Sequence, residues 1–264
     1  MWANDGWGWR ARIGVLVPHA DVNPESEFNA MAPDGVSIHS ARVPFGGMGR
    51  GGRMDPTISQ DPVRGIVEPP AIDDAAALLA DAPVHVIGFA FTSSSYVLGA
   101  AGDDELARRI EDRAGIPFLV ACSSAVEALR ALDVSSIAVI NPPWFDHELT
   151  DLGRRYFEAA GIGVAHASAA RIPSDQFAVH PGIVYRYARD VVPPDADAVF
   201  FGGNGFRSVG VVEALETDLG RPVVTANQAL FWHALRAAGV PSAIEGYGRL
   251  LALAAPAQLV SSSR

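Results

Sequence analysis

Polarity along the chain switches in a repeating way: a short apolar run, a stop at proline, glycine or hydroxyl residues, then a stretch with helical spacing. Residues 12–17 (RIGVLV) predict a strand halted by Pro18, and residues 19–23 a loop. Residues 25–31 predict a helix, with Pro24 suited to a first helical position. Residues 36–43 (VSIHSARV) alternate and predict a second strand. A helix over 72–81, a strand over 84–91 and a loop over 92–95 follow, then a helix over 103–114, a strand over 117–121 and a helix over 123–131. Asp103, Asp104 and Glu105 fall in the first turn of the 103–114 helix, where the macrodipole favours acids. Ser123 or Ser124 is placed to cap the helix over 123–131. The same signals return as strand 136–141, helix 146–160, a weak strand 164–167, helix 181–190, strand 198–201, helix 209–219, strand 222–225 and helix 228–238. From Pro241 the pattern fades into an apolar tail that ends in Ser-Ser-Ser-Arg.

Two stretches organise this pattern: residues 86–95 (VIGFAFTSSS) and 199–208 (VFFGGNGFRS). Each is a buried strand running into small, hydroxyl- or amide-bearing residues, the way a central parallel strand delivers backbone N–H groups and short donors to a site. The flanking segments repeat as well. RIGVLVP matches SIAVINP, and residues 115–132 (GIPFLVACSSAVEALRAL) match 220–237 (GRPVVTANQALFWHALRA). The order of elements therefore implies a tandem α/β duplication: two lobes with parallel sheets related by a pseudo-twofold axis. The first lobe spans 12–134, the second 135–240, and the tail 241–264 is expected to pack on the first lobe. Ligands of open α/β sheets bind beyond the carboxyl ends of strands. Facing lobes would gather Asp21, Thr92, Ser93, Ser94, Trp144 and Asn204 around one cleft.

The halves differ chiefly by an insertion at 44–61 that opens with PFGGMGRGGR, five of whose ten residues are glycine. It is expected to be a mobile loop, either a surface excursion or a lid over the site.

Composition narrows the function. The net charge of −10 argues against nucleic acid as the main partner, since phosphate binding needs a basic face. The single cysteine, Cys122, excludes an intrachain disulfide and a cysteine-based metal site. No apolar run approaches the roughly 20 residues that span a bilayer. The expectation is a cytoplasmic protein with no nucleic-acid or membrane partner. Walker, HExxH and GxSxG patterns are absent, and GGMGRGG neither follows a strand nor opens a helix.

Taken in order, the segments IGVLVP with ESEFNAM after it, FTSSS, SSAVEALRALDV, the PPWFD turn, DADAVFFGGNGFRS and RPVVTANQALFWHALRAAG resemble the aspartate/glutamate racemase superfamily, in its maleate cis-trans isomerase and arylmalonate decarboxylase branch. The resemblance covers about residues 12–239. It implies two flavodoxin-like lobes, no cofactor, no metal, a small carboxylate held between the lobes, and a homo-oligomer. By the same resemblance, Thr92 and Ser93 match the Thr-Ser pair that binds a substrate carboxylate. The two cysteine positions of the family fall at Phe91 and Gly203, so the thiols that transfer protons there are missing. Trp144 stands for a tyrosine and Asp21 for an asparagine; Asn204 and Gly205 form the donor loop.

A new acid or base must then come from elsewhere. Asp21 is the candidate for proton transfer, if burial raises its pKa, with an Asx-type turn cap as the alternative. Asn204 is a second-lobe donor or a turn residue between Gly203 and Gly205. His19 either lines the substrate site or stays at the surface, Cys122 is a small buried hydrophobe or a cleft residue, and Arg207 pairs with a carboxylate or faces solvent. His147 belongs to capping geometry, while His180 and His233 belong to structure. Phe91, Trp144, Phe206 and Trp232 would make the cleft aromatic. The expectation is a cofactor-independent lyase or isomerase that binds one carboxylate at Thr92 and Ser93 and passes through an enediolate-like intermediate. The alternative is a ligand-binding or regulatory protein that kept the cleft and lost catalysis.

Overall fold

The apolar runs become the strands of two four-stranded parallel sheets in a computed structural model, which describes residues 5–240 and 242–253. The first sheet contains β1 (Ala11–Pro18), β2 (Val36–Val43), β3 (Val86–Phe89) and β4 (Phe118–Val120), in the order β2-β1-β3-β4. The second contains β5 (Ser136–Asn141), β6 (Gly163–Ala169), β7 (Ala198–Phe201) and β8 (Val223–Thr225), in the order β6-β5-β7-β8. The orders are the same, as a duplication requires. β3 and β7 are buried along their whole length, which is why they read as continuous apolar runs rather than alternating ones.

The helices are α1 (Asn23–Met31), α2 (Gln60–Val67), α3 (Ala71–Ala80), α4 (Thr92–Ala114), α5 (Ala121–Ala131), α6 (His147–Ala159), α7 (Pro181–Val191), α8 (Val212–Leu219), α9 (Ala226–Ala237) and α10 (Gly248–Ala252). The repeat extends to backbone angles. Val120 and Thr225, which precede α5 and α9, share φ −108° and ψ 154°. Gly115 and Gly220 both end a helix in the left-handed region, at φ 72° and 69°. Only Thr225 adds a capping box, with Gln228; neither Ser123 nor Ser124 caps α5, and Ser123 Oγ instead donates to Val120 O at 3.2 Å.

The lobes share one core. α9 follows a second-lobe strand, yet it packs on α1, α5, β1, β3 and β4. Gly88 of β3 makes that approach possible, because a Cβ there would stand 3.2 Å from the Leu230 side chain. Of the tail, α10 packs on α8, α9 and β8. First-lobe contacts of this region are Tyr247 Oη donating to Ala30 O and Arg10 Nη2 donating to Ser242 Oγ. The rest of the tail, 254–264, lies outside the described residues.

Two further expectations are corrected. Residues 92–95 are not a loop: β3 runs through Ala90 and Phe91 straight into α4, whose first turn they form. Hydroxyl residues suit a first turn, and Ser94 Oγ donates to Phe91 O at 2.8 Å. Gly99, at φ 69°, breaks α4 before the amphipathic part that carries the sequence signal. The glycine-rich insertion is not a plain surface excursion either. A bridge between Met48 and Met54 closes it, Ile58 bridges to Phe145, and Phe45, Met48 and Ile58 are buried. Its end forms α2, a helix that the sequence pattern does not predict.

Candidate active site

Four buried strands, β1, β3, β5 and β7, aim their carboxyl ends at one another's loops, and these loops carry the candidate residues. After β1, Asp21 N donates to Pro18 O and Asn23 N donates to Asp21 Oδ1 at 2.9 Å, an Asx-type turn that opens α1. Asp21 is nonetheless 2 % exposed. Gln176 Nε2, from the loop before α7, donates to the same Oδ1 at 2.8 Å and to Gly205 O at 3.3 Å. The other carboxylate oxygen faces Gly205, where a Cβ would stand 2.9 Å from Oδ2 and 3.5 Å from the Trp144 ring. Burial raises the Asp21 pKa; the Asn23 N–H, the Gln176 amide and the Arg42 charge pull it back. Turn cap and buried carboxylate are therefore the same residue.

Thr92 opens α4 after β3, and Asn204 lies in the loop after β7. The two meet across the lobes. Thr92 N and Thr92 Oγ1 both donate to Asn204 Oδ1, at 2.8 and 2.6 Å. Asn204 Nδ2 donates to Asn227 Oδ1 at 2.7 Å, and Asn227 Nδ2 donates to Glu27 Oε2 at 2.7 Å. Asn204 O accepts from Asn23 Nδ2 and Asn227 Nδ2. Glu27 ends this chain. Its Oε1 accepts the N–H groups of Ser208 and Val209, at 2.9 and 3.1 Å. Burial pushes Glu27 up to about 7, against the lowering by Asn227 and those two N–H groups. Sequence reasoning missed Glu27, Asn23, Gln176 and Asn227.

Phe91 and Gly203 each have partners of their own. Phe91 packs edge-on against Phe45 of the insertion, with ring centroids 4.9 Å apart, and lies 5.7 Å from Phe89. Gly203 has φ +79°, and a Cβ there would stand 2.6 Å from Pro142 Cγ. Cys122 is fully buried beneath Thr92, its Sγ 3.7 Å from Thr92 O, and burial pushes its thiol well up. It is a buried residue behind the first turn of α4.

The remaining candidates divide. Trp144 is buried edge-on to Phe206, while Ser93 is buried with its hydroxyl free of hydrogen bonds to the described residues. The Ser94 hydroxyl donates to Phe91 O. His19 is exposed, its Nδ1 accepts the Phe45 N–H at 3.2 Å, and it lines an outer apolar hollow with Phe45, Pro62 and Ile66. Arg207 is exposed and donates to Val179 O, His233 meets Ser124 Oγ at 3.0 Å, and Asp146 rather than His147 caps α6. Trp232 lies on α9 under the Arg236 guanidinium.

A second buried polar cluster lies along α4. Tyr96 Oη donates to Asn141 Oδ1 at 3.0 Å, and Tyr156 Oη donates to Asp103 Oδ2 at 2.8 Å. Asp103 is thus inside α4 rather than in a first turn. Burial pushes it up to about 6, against the lowering by the Tyr156 hydrogen bond.

Outside Asp21, the segment 50–54 and the loop 174–177 enclose a cavity of about 400 Å³, lined by Arg50, Arg53, Ser174, Asp175 and Phe177. Gly52 seats this segment against Ala20 O and the Phe177 ring. Among the described residues, no group of three or more His, Cys, Asp or Glu could hold a metal, and no helix is long and apolar enough to cross a membrane.

Comparison with known proteins agrees with this architecture. The family model described as arylmalonate decarboxylase matches residues 13–251. The maleate isomerase of Pseudomonas putida is 27 % identical over 259 residues, covering 91 % of this chain and 96 % of its own. The arylmalonate decarboxylase of Bordetella bronchiseptica is 25 % identical over 250 residues, covering 90 % and 95 %. Among solved structures, a mutant of Nocardia farcinica maleate cis-trans isomerase with a covalently bound succinylcysteine intermediate superposes with a TM-score of 0.80 at 26 % identity, covering 91 % of this chain and 98 % of that one. These relatives are isomerases and a decarboxylase, and with a matched model spanning nearly its whole length, the chain belongs to the arylmalonate decarboxylase family of enzymes.

Proposed function

We propose that this protein is a cofactor-independent lyase or isomerase acting on a small carboxylic acid, without the cysteine pair, through an enediolate-like intermediate. The observation that carries the reading is the pair of Thr92 donors at the start of α4, which now hold an amide oxygen from Asn204. A carboxylate oxygen is an acceptor of the same kind and gains further from the helix N-terminus. Donors aimed at a developing enediolate stabilise it whether or not a thiol is present. Asp21 is buried and raised in pKa, which suits a group that gives or takes a proton. Decarboxylation is favoured within the class. The bond from the α-carbon to one carboxylate breaks, carbon dioxide leaves, the electron pair delocalises into the carboxylate held at Thr92, and the α-carbon then takes a proton from Asp21. No thiolate is needed to break that bond.

The test is product analysis by nuclear magnetic resonance in deuterated water, with small mono- and dicarboxylates and aryl-substituted malonates as substrates. The expected result is a product or α-deuteration in the parent and neither in Asp21→Asn, whose amide keeps the acceptor for Asn23 and Gln176. Binding without product or exchange would favour the alternative of a ligand-binding protein. No interaction with any carboxylate would overturn the substrate class.

A further inference from the structure

The chain Thr92–Asn204–Asn227–Glu27 is directional, because two of its members have no choice of role. Thr92 N–H can only donate, so Asn204 must present Oδ1 to it at 2.8 Å. Asn204 Nδ2 then requires Oδ1 of Asn227, and Asn227 Nδ2 is left to face Glu27 Oε2. Glu27 accepts at every one of these contacts, including the Ser208 and Val209 N–H groups, which is the pattern of an ionised carboxylate.

A substrate carboxylate at Thr92 reverses each demand. It brings an acceptor to the place of Asn204 Oδ1, and two acceptors facing each other repel. Asn204 must turn its amide so that Nδ2 faces the ligand and Oδ1 faces Asn227. Asn227 must then donate through Nδ2, leaving its Oδ1 against Glu27 Oε2. That contact is a hydrogen bond only if Oε2 carries a proton. Asn204 O gives up its Asn227 donor in this turn and keeps Asn23 Nδ2, which reaches it at 2.7 Å. Resting on the reading of Thr92 as a carboxylate site, we propose that Glu27 is a positioning residue: its protonation, relayed by Asn227 and Asn204, frees the Thr92 donors for the substrate carboxylate.

The charged neighbours on the elements packed against α1 are otherwise engaged. Glu25 of α1 pairs with Arg42 of β2, and His39 of β2 meets Ser37. Arg12 of β1 donates to Pro83 O and Gly8 O. On α9, His233 meets Ser124 and Arg236 covers the Trp232 ring. Tyr247 bonds Ala30 O, and Arg249 pairs with Glu216. The groups that hold Glu27 are neutral donors: the Asn227 amide and the two backbone N–H groups. Its raised pKa places the switch near neutral pH.

The experiment is calorimetric titration with phenylacetate, which is fully ionised from about pH 6 to about pH 9, on the parent, Glu27→Gln and Thr92→Val. In the parent, affinity should fall about tenfold per pH unit above the Glu27 pKa. In Glu27→Gln it should be flat, because the glutamine keeps an acceptor for Ser208 and Val209 while its N–H₂ group stands in for the proton. Titration of the parent in buffers of different ionisation enthalpy should show proton uptake on binding that disappears below that pKa, a readout needing no variant. Binding that Thr92→Val weakens, with no pH slope and no proton uptake in the parent, would overturn the relay alone. Binding as tight in Thr92→Val, which keeps the backbone N–H and loses only Oγ1, as in the parent, or none in any form, would overturn the carboxylate reading and the relay with it.

Discussion

Asn204 Oδ1 lies 2.8 Å from Thr92 N and 2.6 Å from Thr92 Oγ1, so equivalent positions after β3 and β7 bond to each other across the pseudo-twofold axis. Both Thr92 donors are held by the protein's own amide. Asp21, Trp144 and Phe206 are buried around that contact.

Removing the plug should cost stability and gain access. Asn204→Ala deletes hydrogen bonds to Thr92 and Asn227 and leaves buried donors unpaired, a loss of about 1–3 kcal/mol. Chemical denaturation should show that loss, while the thermal upshift produced by a small carboxylate should exceed that of the parent. An equal or smaller upshift would mean that Asn204 does not compete for the donors.

A cysteine placed at Gly203 should destabilise the protein. Gly203 sits at φ +79° with Pro142 Cγ 2.6 Å from any Cβ. Gly203→Cys should lose at least about 1–2 kcal/mol from the left-handed conformation, before the clash with Pro142. Gly203→Ala should lose about as much, showing that the Cβ rather than the sulfur is the cause. A Gly203→Cys protein with the parent's urea midpoint would contradict this.

The pairing of Phe91 with Phe45 should anchor the insertion. In a double-mutant cycle of Phe45→Leu and Phe91→Leu, the edge-on contact should appear as a coupling of about 0.5–1.5 kcal/mol. Proteolysis within 46–53 should speed up in either single variant. Zero coupling would mean that each ring is held by its own surroundings.

Stability should fall with rising pH in the acid-to-neutral range. Glu27 is raised from an ordinary 4.5 to about 7 and Asp103 from 3.8 to about 6, so between those limits the folded chain binds more protons than the unfolded one. Their contribution is full below the unfolded values, is lost as pH climbs through the folded ones, and amounts to about 3 kcal/mol for each. Denaturation midpoints across this range should decline in the parent and decline less in Glu27→Gln. A rise through the range in the parent would contradict the burial of both acids.

Six of the eight strands were legible as short apolar runs, β2 as an alternating stretch and β6 only weakly, and the repeat because both halves carry the same stops, Pro18 with Pro142 and Gly115 with Gly220. α2 was not, since Pro62 and Gly65 break its helical pattern within eight residues. The first turn of α4 was hidden because hydroxyl residues serve loops and helix starts alike. Of the site, Asp21, Thr92, Asn204 and Trp144 followed from strand ends, while Ser94 and His19 took local partners that no strand-end argument predicts. Glu27 left a signal that went unread: with Pro24, Phe28 and Met31 it completes the buried stripe of α1, an acid at a core position. Gln176 had none, coming from an irregular loop of the other lobe.

The measurement that bears most directly on the account is a crystal structure of the protein with a small dicarboxylate such as malonate. The account predicts one carboxylate oxygen within hydrogen-bond distance of Thr92 N and Oγ1, with the Asn204 side chain turned away from its present contact. A dicarboxylate seated elsewhere, with Asn204 Oδ1 still on Thr92, would contradict it.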